Sequence, residues 1–167
     1  MEIPGLGVVA EDDAFEGYRS GAVGVPVLGG IDCEFIVQGY DEDDRPEDFH
    51  TAIRDFLALD SAALIAARPS IYAHYLASRH EAHQLRIPGP DSVLEYVELG
   101  NEPEVIRSET NGRISVTLEC ECRWEPDRGL RLVFLDGPVR PARACAGRIG
   151  ATEDPAAPGS VRTTPMV

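Results

Sequence analysis

The chain contains no lysine: all 15 of its basic residues are arginine. That excludes Schiff-base chemistry, a lysine general base and the phosphate-binding loop G-x-x-x-x-G-K-[ST], each of which needs an ammonium group. No apolar run approaches the ~20 residues that span a bilayer, so no membrane association is expected. The first residues, "MEIPGLGVVAEDD", carry neither the basic stretch nor the apolar core of a signal peptide. The chain is therefore expected in the cytoplasm, where thiols stay reduced and its 4 cysteines form no disulfides.

Positive charge is scarce as well. Against 15 arginines stand 29 aspartates and glutamates, for a formal net charge of −14. Contacts to nucleic-acid phosphates require clustered cations that release counterions; this surface repels a polyanion, and no nucleic-acid partner is expected. The same surface attracts a basic protein.

At 167 residues the length suits one core rather than two. Residues 1–150 read as a single α+β domain. The tail 151–167, "ATEDPAAPGSVRTTPMV", offers little to bury and is expected to be disordered.

Within the domain, the first third reads as strands. "LGVVAED" and "FEGYRSGAVGVPVL" are β-prone runs punctuated by glycine and proline, and "GGIDCEFIVQGY" places Cys33, Phe35 and Val37 on one face with Glu34 and Gln38 opposite. "DEDDRPEDFHTAIRDFLALD" is a helix: Phe49, Ala52, Ile53, Phe56 and Leu57 recur at the helical interval, Pro46 fits the first turn, and Asp44, Glu47 and Asp48 suit the positive end of its dipole.

Asp60-Ser61 can cap a second helix through "AALIAAR". Pro69 is expected to break or kink it, with a restart that turns Ile71, Tyr72, Tyr75 and Leu76 inward. "PDSVLEYVEL" adds a short helical segment, after which "EVIRS", "ISVTLECECRWEPDRGLRLVF" and "GPVRPARA" return to strands. Strands, helices, then strands is an α+β order, with a mostly antiparallel sheet and two to three helices on one face.

Four clusters invite a chemical reading. In "ISVTLECECRWEP", Ile114, Val116, Leu118, Cys120, Cys122 and Trp124 share one parity, and Ser115, Thr117, Glu119, Glu121, Arg123 and Glu125 the other. That is a half-buried strand with a dry and a wet face, so core packing of Cys120, Cys122 and Trp124 is favoured over metal binding. A structural zinc needs four ligands, and Cys33 and Cys145 stand alone.

The run Asp41-Glu42-Asp43-Asp44 suggests calcium, but an EF-hand loop started at Asp41 places Arg45 and Pro46 where a ligand and a glycine are needed. A solvated loop feeding a helix is favoured. His80 and His83, with His74, offer a weak alternative metal site: "RHEAH" is one residue short of H-E-x-x-H. Around Ser20 the glycine spacing of G-x-S-x-G fails, and Gly5-x-Gly7 is too short for a dinucleotide fingerprint. No catalytic residue and no cofactor is expected.

Two stretches carry a resemblance. "CEFIVQGYDEDDRPEDFHTAIRDFLALD" and "ISVTLECECRWEPDRGLRLVF" resemble a group of small bacterial cytoplasmic proteins catalogued as a domain of unknown function. Its members pair a "GY-acidic-PEDF" helix start with a "CEC-x-WEPEHGL" hairpin and a "DGHLT"-like stretch. The likeness spans roughly residues 5–150, with Trp124 and "WEP" its most specific anchors. This chain has Arg128 in place of the turn histidine and Ala146-Gly147-Arg148 in place of Asp-Gly-His, which argues against a shared histidine site.

Two functions compete. The first is a non-catalytic acidic module that recognises a basic protein, as immunity proteins neutralise toxins; the resemblance to proteins encoded near toxin genes implies it. Its partner-binding residues are Glu11, Asp12, Asp13, Asp41, Glu42, Asp43 and Asp44. The alternative is a metal-dependent enzyme or sensor built on His74, His80 and His83.

Overall fold

The computed structural model describes residues 1–78, 84–135 and 139–143. Strands β1 (Glu2–Ile3), β2 (Gly7–Asp12), β3 (Gly17–Val25) and β4 (Ile31–Gln38) form an antiparallel meander. Helices α1 (Pro46–Leu57) and α2 (Ser61–Ser78) follow, then a 3₁₀ segment over Pro90–Tyr96 and the short β5 (Val97–Glu98). The chain ends in a second meander of β6 (Glu104–Arg107), β7 (Ile114–Cys122), β8 (Leu130–Phe134) and β9 (Val139–Arg143).

The sheet order is β1-β2-β3-β4-β6-β7-β8-β9, with β5 paired to the far end of β7. Among the described strands only β4 and β6 run parallel, through Ile36↔Glu104 and Val37↔Val105. A parallel pair needs a crossover, and the helices lie within it. The architecture is α+β, as the order of elements predicts.

Local sequence explains both helices. Pro46 opens α1, with Glu47 and Asp48 in its first turn. Asp60 starts α2 by accepting the Ala62 N–H on Oδ1 at 2.9 Å. Phe49, Ile53 and Phe56 face the sheet. Phe56 meets Phe35 of β4 and Phe134 of β8 edge-to-face, with centroids 5.8 and 4.8 Å apart.

Three local expectations fail. First, α2 runs unbroken across Pro69. The proline is exposed, so the carbonyl that loses its bond lies on a wet turn, where Ile65 is 51% exposed. Second, Leu76 does not turn inward and is 48% exposed, whereas Ile71 and Tyr75 are buried.

Third, the sheet face away from the helices is not simply wet: Ile36, Gln38, Ser115 and Thr117 are all buried there. The Arg19–Glu102 and Arg131–Glu119 ion pairs span that face, and their apolar stems exclude water from the residues beneath.

Toward the end of β7 the buried Cys120 and Cys122 alternate with the exposed Glu119 and Glu121. Cys120 and Cys122 are buried, unbridged thiols, and burial pushes each up to about 11. A thiol held protonated is a poor nucleophile. Trp124 lies just past the end of β7 yet is 1% exposed, edge-on to Tyr75 of α2 at 5.7 Å. Cys145 and the tail 151–167 lie outside the described residues.

Candidate functional site

A cleft of about 740 Å³ opens at the end of the sheet where β2, β3, β4 and β6 come together. One wall is the β2–β3 hairpin turn. Asp12 organises it, accepting the Phe15 N–H on its carbonyl at 3.2 Å and the Ala14 N–H on Oδ1 at 3.1 Å. Glu16 closes the turn at φ 51°, the left-handed region that non-glycine residues rarely occupy. The opposite wall is the loop from Gly39 into α1, where Asp43 Oδ1 accepts the Arg45 N–H at 2.8 Å.

The two walls are tied together. The Tyr18 hydroxyl donates to Asp41, a contact between residues 23 apart in sequence. That bond, with the negative charge of Asp41 and Glu11, pushes the Tyr18 phenol up to about 12. Tyr40 stacks edge-on against Phe49 with centroids 5.5 Å apart, and its hydroxyl pairs with His50 Nε2 at 2.7 Å. Burial and the Asp41 charge raise its pKa too.

Two arginines flank the cleft, and each is clamped by carboxylates above an aromatic ring. Arg19 bonds Asp12 at 2.7 Å and Glu34 at 3.3 Å, and its guanidinium lies 5.3 Å from the centre of Phe15. Arg107 bonds Asp43 at 2.8 Å and Asp48 at 2.9 Å, and lies 5.7 Å from the centre of Phe49. Arg19 holds Asp12, and Arg107 holds Asp43, below the usual carboxylate range.

Of the seven carboxylates expected from sequence, Glu11, Asp12, Asp13, Asp41 and Glu42 line this one cleft. Asp43 is drawn into the Arg107 clamp, and Asp44 stays on the exposed loop without lining the cleft. Pattern reading missed Glu16, Tyr18, Gln38, Tyr40 and Arg107, which also line it. A signal existed for the tyrosines: Gly17-Tyr18 and Gly39-Tyr40 are the same dipeptide, each beside an acidic residue.

The chain belongs to DUF6985. This family, described as a domain of unknown function, matches residues 6–147. No curated protein and no solved structure matches the chain.

Of the histidines expected as alternative ligands, His74 is half-buried on α2, and His80 and His83 lie outside the described residues. Among the described residues, no three histidine, cysteine or carboxylate side chains are grouped so as to hold a metal ion. Among the described residues, no helix is long and apolar enough to cross a membrane. A second hollow of about 520 Å³ lies between α1 and the β6–β7 turn, with Phe56, Leu59 and Phe134 at its base and Arg45 and Arg113 at its rim.

Proposed function

We propose that the protein is a non-catalytic binding module whose acidic cleft recognises a basic protein partner in the bacterial cytoplasm, acting as an immunity-type neutraliser. One observation carries this reading. The acidic segments 11–13 and 41–42, remote in sequence, meet on one concave surface. Some carboxylates there are occupied: Asp12 serves Arg19 and Asp43 serves Arg107. Glu11, Asp13 and Glu42 are exposed and have no ion-pair partner among the described residues. Fixed like charges at a surface raise the local concentration of an opposite charge and speed encounter.

The test is purification of the tagged chain from its native host, followed by deletion of its gene. A stoichiometric basic partner released by salt, together with toxicity of a neighbouring gene on deletion, supports the reading. Recovery of the chain alone, with no effect of deletion, removes it.

A further inference from the structure

The two strands of the parallel pair meet over a carboxylate that has no cation of its own among the described residues. Glu104 opens β6 opposite Ile36 of β4, on the sheet face away from the helices. Its surroundings there are dry. Ile36 and Thr117, its neighbours in register on either side, are 1% and 3% exposed. The Thr117 hydroxyl donates to Glu104 Oε2 at 3.5 Å, the long limit of a hydrogen bond.

The charged groups that face Glu104 are either negative or already engaged. From β3, Arg19 reaches Asp12 of β2, Glu34 of β4 and Glu102 just ahead of β6. From β8, Arg131 is bonded to Glu119 of β7 at 2.6 Å. Burial above all, with the charges of Glu119 and Glu102, holds the Glu104 carboxyl above its ordinary value of 4.5. Arg131 and the Thr117 hydroxyl offset only part of this.

The place matters because the junction is short. Two residue pairs fix its register, and Glu104 belongs to one of them. Beside it the Ile36 N–H donates to the Pro103 carbonyl at 2.9 Å, and the Glu34 N–H to the Asn101 carbonyl at 3.0 Å. An ionised carboxylate without a cation regains its water only if the strands and the side chains over it part. A neutral carboxyl needs no such opening.

We propose that Glu104 is a proton-operated catch on the β4–β6 junction: neutral, it lets the two strands close, and ionised, it loosens them. Gln38 and Gly39 after β4, and Ile106 and Arg107 of β6, line the acidic cleft, so the catch sets how firmly the walls of the cleft are joined. It does not depend on what the cleft binds.

The sign follows from linkage. The neutral form favours the fold, so its contribution is complete below pH 4.5 and is lost as pH rises through the raised folded value. Asp12 and Asp43 act in the opposite sense and below 3.8, outside this range.

The experiment follows the isotope-labelled full chain from pH 4.5 to 8. It reads the glutamate carboxyl carbons and the exchange protection of backbone amides, corrected for the intrinsic effect of pH. Glu104 is expected to titrate above 4.5. Protection of the Ile36 and Glu34 amides should fall severalfold over the same range, while Leu118 and Leu132 keep theirs.

Glu104→Gln, neutral and of the same size, should hold that protection at every pH. It should also raise the urea midpoint over the unmodified chain more at pH 8 than at pH 4.5. Titration of Glu104 at or below 4.5, or loss of Ile36 protection that persists in the variant, would overturn the catch. If the variant does not fold, the unmodified chain decides alone. Ile36 protection must then follow the Glu104 titration curve, and a midpoint matching another glutamate or a histidine sinks the proposal.

Discussion

The Tyr18 hydroxyl donates to the Asp41 carboxylate, and that bond joins the hairpin of β2 and β3 to the loop that feeds α1. A phenol in this position resists ionisation, because losing its proton would set two negative charges side by side. In an absorbance titration of the 5 tyrosines, one should therefore ionise only near pH 12. Tyr18→Phe should remove that late step. Persistence of the same step in the variant would assign it to another tyrosine.

The arginine clamps make an acid-sensitive lock. Asp12 and Asp43 have folded-state pKa values below their ordinary value of 3.8. Their contribution to stability is therefore complete above that value and is lost as pH falls through the depressed folded pKa. Urea midpoints measured downward from pH 5 should drop, and Arg107→Met should flatten that acid limb while lowering the midpoint at pH 7. An unchanged slope in the variant would show that other groups govern acid unfolding.

The thiols behave in the opposite sense. Cys120 and Cys122 are raised from 9.0 to about 11 by burial, so their protonated forms favour the fold below pH 9, and that contribution is lost as pH rises toward 11. Neither should react with a thiol reagent in the native protein at neutral pH. Cys120→Ala and Cys122→Ala should each cost about 1 kcal/mol by denaturant unfolding, through small cavities. Rapid native labelling of either would contradict the packing.

Pro69 is the clearest stabilisation target. It sits on the exposed side of a continuous helix, where it removes one backbone bond. Pro69→Ala should raise stability by about 1–3 kcal/mol, the gain in helix propensity less the loss of proline's restraint on the unfolded chain. A lower midpoint in the variant would mean that the proline is needed where it stands.

Period and punctuation made most of the fold legible. The alternation of buried Leu118, Cys120 and Cys122 with exposed Glu119 and Glu121, and the spacing of Phe49, Ile53 and Phe56, are enforced by burial on one side, so they are written into the residues. Pro69 and Leu76 were misread because local rules say nothing about where solvent lies: a proline facing water keeps its helix, and a leucine at the right interval can still face outward. Thr117 was misread for a related reason, since the cover over it comes from long side chains on neighbouring strands.

Half of the cleft was visible as acidic runs. Its tyrosines, Gln38 and Arg107 were not, because what unites them is a meeting of chain ends rather than a spacing.

The parallel pairing of β4 with β6 gives the molecule a seam. On each side lies a meander whose strands are neighbours in the chain and can zip up locally. Across the seam the register rests on two residue pairs, Ile36↔Glu104 and Val37↔Val105, which close a loop of more than sixty residues. Closing such a junction carries a loop-entropy cost that pairing of chain neighbours does not, because distant ends must be brought together. Gln38 and Gly39 mark one side of its end, and Ile106 and Arg107 the other. The cleft is thus the open end of the suture between two separately woven cloths, and a ligand seated there would hold both edges at once.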